Sequence, residues 1–300
     1  MPVAARKQLQ IDDPDLFMDM EDLELAAHGI VEGTLHGLHR SPYLGFSVEF
    51  DSHREYQRGD DLRYVNWNLW ARTERLYIKQ FKSDTNLNLY LLLDTTGSMF
   101  TAHGRSQKWR YGARAAAALA FLALLGRDAT GAYMLGNTVQ DIVPPRVRPG
   151  QFHEILALLQ GVQSAGQGDI GAALEDVRET CKRRGIIVLI SDLFDKEAEI
   201  LHGLSDLRYM GHEVLVLHVL DPWEIELPTT GQYEFEDLES GEKLRVHAPQ
   251  LRESYNRIVA DWREGLKRSC EERGIDWLAC GTHEPIRNLL IEYLLRRARY

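Results

Sequence analysis

Cysteine is scarce: the three in this chain, Cys181, Cys270 and Cys280, are far apart and form no C-x-x-C pair. That spacing excludes a disulfide framework and the usual zinc and redox motifs, and it predicts reduced thiols. Positive charge is also short, with 35 basic against 45 acidic residues and a net charge of −10. A chain with that field repels polyanions, so nucleic acid and anionic membranes are not its expected partners. Long apolar runs are missing too. The opening "MPVAARKQLQIDDPD" has no apolar core of signal-peptide length, and "AAAALAFLALLG" is too short to cross a bilayer. The expectation is a cytoplasmic protein with no direct membrane insertion. There is no G-x-S-x-G elbow and no G-x-x-x-x-G-K-[ST] loop, which removes the standard serine hydrolase and nucleotide-hydrolysing signatures.

What is present is enough apolar material, 44% of 300 residues, for one large domain or two unequal ones. Residues 12–27, "DDPDLFMDMEDLELAA", space Leu16, Met20, Leu23 and Ala27 as an acidic amphipathic helix, within an N-terminal segment of residues 1–36. Residues 37–85 alternate apolar and polar around Gly45 and "RGDD", are rich in aromatics, and read as a small β-rich unit. In that unit "RGD" at 58–60 is a chance tripeptide. Its Asp60 and Asp61 are expected in turns or ion pairs, while Tyr56, Tyr64, Trp67 and Trp70 divide between core and contact surface.

From 86 to 300 the texture is strand, then helix, repeatedly. "LNLYLLL", "ATGAYML", "IIVLI", "EVLVLHV" and "IDWLAC" are the strands, with helices at 106–126, 151–163, 197–208 and 284–298. Continuous apolar strands between amphipathic helices predict a doubly wound α/β fold with a mostly parallel sheet. An acidic hairpin turning at Ser240-Gly241 is expected as an insertion over about 221–250.

The chemistry-bearing stretch is "LLLDTTGSMF", residues 91–100, where an apolar strand stops on an acid followed by hydroxyls. Ligands in open α/β sheets bind at the carboxyl ends of the strands. Asp94, Thr96 and Ser98 alternate there, and "IIVLISDLFD" brings Asp192 to the end of another buried strand. Oxygen donors from two strand ends suit a hard dication: magnesium, or else manganese or calcium. The plainer alternative is that Asp94 and Ser98 only cap the next helix. "GQGDIG" also matches G-x-G-x-x-G, but it follows a helical pattern rather than a strand, so it reads as a loop between helices. His103, His212 and His218 show no ligand spacing with another donor.

"DTTGSM" resembles the Asp-x-Ser-x-Ser metal-ion-dependent adhesion site of von Willebrand factor A domains. The stretch "RSPYLGFSVEFDSHREYQRGDDLRYVNWNLWARTERLYIKQF", with "LISDLFD" and "VLHVLDP", resembles the bacterial domain of unknown function fifty-eight family. The resemblance implies a Rossmann-type, von Willebrand A-like domain behind a β-rich segment. It implies direct metal contact by Thr96 and Ser98, contact through water by Asp94 and Asp192, and an attraction for a partner's carboxylate. Two positions depart from the family pattern. Thr96 stands for the usual serine, and Gly168 falls where a threonine is usual, leaving Asp169 as the neighbouring donor. The implied role is a non-catalytic adaptor with a protein partner, a MoxR-type AAA ATPase, in a chaperone or assembly system. The competing class is a magnesium-dependent, phosphatase-like hydrolase with Asp94 as nucleophile.

Overall fold

The computed structural model describes residues 23–39, 50–55, 77–81, 87–101, 107–236 and 243–297. Two compact units are separated in the chain: residues 35–86 form one, and residues 1–34 with 87–300 form the other. In the smaller unit β1 (Phe50–Glu55) pairs antiparallel with β2 (Tyr77–Phe81). The RGD tripeptide and the aromatics Tyr56, Tyr64, Trp67 and Trp70 lie outside the described residues.

The larger unit is built on a six-stranded sheet. Its elements are β3 (Asn88–Asp94), α2 (Lys108–Leu125), β4 (Ala129–Leu135), β5 (Val139–Arg146), α3 (Gln151–Gly161), α4 (Ile170–Thr180), β6 (Gly185–Ser191), α5 (Glu197–Tyr209) and β7 (Glu213–Leu220). There follow the short helix α6 (Pro222–Ile225), the antiparallel pair β8 (Gln232–Glu236) and β9 (Lys243–His247), α7 (Ala248–Glu272), β10 (Asp276–Gly281) and α8 (Ile286–Arg297). An N-terminal helix, α1 (Leu23–His39), precedes them all. Of the helix expected over 12–27, residues 12–22 lie outside the described residues. The described part starts at Leu23 and runs past the expected boundary near 36, with His28 resting on Phe121 of α2 at 3.9 Å between ring centroids.

The sheet order is β10-β7-β6-β3-β4-β5, with every neighbour parallel except the edge strand β5. This is the doubly wound, mostly parallel sheet that the apolar strands predict. Alternation within each strand fills both faces. Tyr90, Leu92, Ile187, Leu189, Val214 and Val216 pack under α4, α5 and α7 on one face. Ile190 points to the other, where it meets Gly112 of α2. Elements absent from the expectation include β5, α6 and α7. The chain leaves β3 for β4 on one side, while β6 and β7 lie on the other, so the order reverses between β3 and β6. That reversal opens a crevice at the carboxyl ends of these strands. Among the described residues, no helix is long and apolar enough to cross a membrane.

Leu189 is fully buried at the centre of this core. Leu189→Ala is expected to cost about 2–5 kcal/mol. Urea unfolding followed by circular dichroism measures it, and a loss near zero would contradict the packing described.

Candidate functional site: a buried ion network at the strand tips

Asp94 ends β3, and the chain turns at once rather than continuing extended. Thr96 N donates to Asp94 Oδ1 at 2.8 Å, and residues 97–100 form a 3-10 turn. This turn brings Thr96 Oγ1 and Ser98 Oγ within 3.0 Å of each other. Asp94 Oδ2 accepts from Ser191 Oγ at 2.5 Å, a link from β3 to the adjacent tip of β6. Burial, and secondarily the charge of Asp192, raise the Asp94 carboxyl to about 7, against smaller opposing effects of its bonds to Ser191 and Thr96.

The second loop is stitched to the first through backbone bonds. Ala165 N donates to Thr95 O at 2.8 Å, and Gly97 N donates to Gly166 O at 2.7 Å. Gly168 then lies directly against Thr96: a Cβ there would overlap the Thr96 Cγ2 methyl and sit 3.4 Å from Thr96 Cβ. The methyl that distinguishes Thr96 from serine occupies the volume that a side chain at 168 would need. The two departures that the resemblance implies are therefore one steric exchange.

Beyond β6 the chain turns sharply at Leu193, whose φ of 57° is left-handed and uncommon for a non-glycine residue. The turn sends Asp192 inward and Phe194, 46% exposed, outward. Asp192 Oδ1 accepts from Phe194 N at 3.1 Å. Its Oδ2 accepts from the Lys108 ammonium at 2.7 Å. Lys108 is the first residue of α2, 0% exposed, and also pairs with Glu224 Oε1. Burial disfavours its charge, but Asp192 and Glu224 outweigh that effect and hold it more strongly protonated than usual. Glu224 Oε2 accepts from Asp221 N at 2.8 Å in a capping box that begins α6, just past β7. Phe194 covers the ammonium, with its ring centroid 5.0 Å from Nζ, and stacks on Trp262 at 5.3 Å.

His218 Nε2 lies 3.0 Å from Asp192 O. A carbonyl only accepts, so the neutral ring carries its proton on Nε2. Burial lowers its pKa to about 4. Of the expected donors, Asp94, Thr96, Ser98 and Asp192 thus gather at the crevice. Asp169 instead caps α4 through Ala172 N at 2.9 Å and pairs with Lys196 at 2.9 Å. Lys108, Glu224 and Ser191 belong to the network without having been expected there.

These side chains do not fit a divalent metal as arranged. One Asp192 oxygen is bound to an ammonium and the other to an amide. Gly168, where the resemblance implies a threonine, has neither a side chain nor room for one, and Asp169 is committed elsewhere. Among the described residues, no group of three or more His, Cys, Asp or Glu side chains is spaced to hold a metal.

Two measurements test this geometry. Gly168→Ala is expected to destabilise the fold by about 1–3 kcal/mol, and adding Thr96→Ser is expected to recover most of that loss. Additive losses in the double variant would refute the steric exchange. The pH dependence has opposed parts. Between about pH 4 and 7 the unfolded chain has released the Asp94 proton while the folded chain keeps it, so this group's contribution to stability falls as pH rises. His218 acts the other way, with stability falling as pH drops from 6.5 toward 4. Asp94→Asn removes only the first effect. Its stability relative to the unsubstituted protein is therefore expected to improve as pH rises from about 4 to 7 and then level off. Urea midpoints at several pH values read this difference, and a flat one would contradict it.

Comparisons with known proteins agree with the topology. Uncharacterized proteins of Mycobacterium tuberculosis and Mycobacterium bovis are each 30% identical over 295 residues, covering 96% of this chain and 92% of theirs. Among solved structures, the conserved hypothetical protein BatB from Bacteroides thetaiotaomicron superposes with a TM-score of 0.50 at 15% identity, over 71% of this chain and 100% of that one. The SpRpn10 VWA domain matches with a TM-score of 0.40 at 9% identity, over 68% and 93%. The fold is shared with BatB. The model for "Protein of unknown function DUF58" matches residues 52–265, and the chain belongs to that family.

Proposed function

We propose that this protein is a non-catalytic interaction domain that holds a protein partner at the strand-tip crevice. Its expected partner is a MoxR-type AAA ATPase, with which it acts as an adaptor in a chaperone or assembly system. Membership of a von Willebrand A-like family is consistent with an interaction domain. The ATPase comes from the family resemblance.

The observation that carries this reading is how the crevice divides its groups. Its charges are turned inward and paired, whereas Phe194, an aromatic ring 46% exposed, and the partly exposed Ser98 hydroxyl face outward. A large exposed ring held rigidly by Trp262 suits a contact surface, because aromatic anchors contribute most to binding when a partner desolvates them. A nucleophile needs the opposite arrangement. Asp94 is 2% exposed and both its oxygens accept hydrogen bonds, which supports the non-catalytic reading over the hydrolase alternative.

The test is capture of a purified MoxR-type AAA ATPase by the tagged full chain. Phe194→Ala, checked for unchanged melting, is expected to weaken capture by about tenfold or more. No capture by either protein would sink the adaptor reading. Turnover of a phosphomonoester that disappears in Asp94→Ala would replace it with the hydrolase.

A further inference from the structure

We infer that Lys108 is the resident cation of this crevice, and that the crevice works without a divalent metal. Its ammonium is fully buried and sits 2.7 Å from Asp192 Oδ2, with Glu224 as second counter-ion. A dication held by Asp192 would have to share that carboxylate with a fully buried ammonium, at severe like-charge repulsion. The ligand that the second loop supplies in the family pattern is replaced by Gly168, and the Thr96 methyl fills the space. Asp169, the nearest substitute, is held by Lys196 and the start of α4. The steric feature removes one ligand, while the ammonium is the barrier that keeps the ion out.

The consequence concerns what the crevice recognises, and here the inference rests on the interaction reading. A buried ammonium with both counter-ions in place has no open coordination position for a partner's carboxylate. What the crevice presents is the partly exposed Ser98, whose hydroxyl meets that of the buried Thr96, and the exposed Phe194 ring. The matching partner features are a neutral hydrogen-bonding group and an apolar side chain.

The deciding experiment is calorimetric titration of the chelator-stripped full chain with magnesium and manganese chloride, together with melting curves at millimolar metal. The unsubstituted protein is expected to show only heat of dilution and an unchanged melting temperature. Saturable heat would overturn the inference. Lys108→Met frees both carboxylates, so manganese is expected to bind it and raise its melting temperature. A folded Lys108→Met chain indifferent to manganese would also overturn it. Should that variant fail to fold, the double variant Thr96→Ser with Gly168→Thr keeps Lys108 and restores the family pattern. It is expected to stay indifferent to metal, and saturable binding there would show that the ammonium is not the barrier. Chelator is expected to change capture of the ATPase by less than about twofold. Failure to capture the ATPase under any condition counts against the adaptor reading alone, whereas metal heat in the unsubstituted protein counts against this inference alone.

Discussion

The strand-tip crevice is organised around one interaction, the buried Lys108 ammonium held between Asp192 and Glu224. An unpaired ammonium in this interior would cost several kcal/mol. Its position makes the problem worse, because Lys108 is the first residue of α2 and the amino end of a helix disfavours positive charge. Two carboxylates offset both penalties, yet a buried ion pair rarely stabilises a fold more than apolar packing of equal volume. Its value here is geometric. One side chain fixes the start of α2, the loop after β6 and the helix after β7, segments separated by 84 and 116 residues.

Only a parallel arrangement brings these groups together. β3, β6 and β7 are neighbours running in the same direction, so the acids at or just beyond their ends fall on one edge of the sheet. Reversal of strand order between β3 and β6 parts the helices there and leaves space above the tips. Ser191 bridges that reversal by donating to Asp94, and the backbone bonds from Ala165 and Gly97 bind the second loop to the first. Three loops that connect distant parts of the chain are thereby held as one rigid surface, with Phe194 as its outward face.

Much of this was legible in the sequence, for identifiable reasons. Buried parallel strands are continuous apolar runs, so β3, β4, β6, β7 and β10 declare themselves, and acids directly after two of them mark the crevice. β5 escaped because "VQDIVPPR" alternates and carries two prolines, a pattern that belongs on an edge strand. α7 escaped because its 25 residues are strongly polar, with Ala248, Leu266 and Cys270 its buried residues. Lys108 was missed because a search for metal donors counts oxygens and passes over ammonium groups. A usable signal was there: lysine opening an apolar helix, where the helix dipole disfavours it, calls for a buried acid. Glu224 had one as well, since "DPWE" is a capping-box pattern with proline at the first helical position.

Thr96 and Gly168 show why two departures from a family pattern are better read together. Taken singly, the first keeps a hydroxyl and looks harmless, while the second deletes a ligand and looks damaging. In three dimensions the methyl gained by one fills the space vacated by the other, so reverting either alone leaves a gap or a collision. In the metal-free crevice inferred above, the positive charge is covalently tethered. A tethered ammonium can neither dissociate nor respond to cation concentration, and it offers no vacant site to an incoming acid. Recognition then falls to hydrogen-bonding geometry and aromatic contact, whose strength depends on shape complementarity more than on ionic conditions.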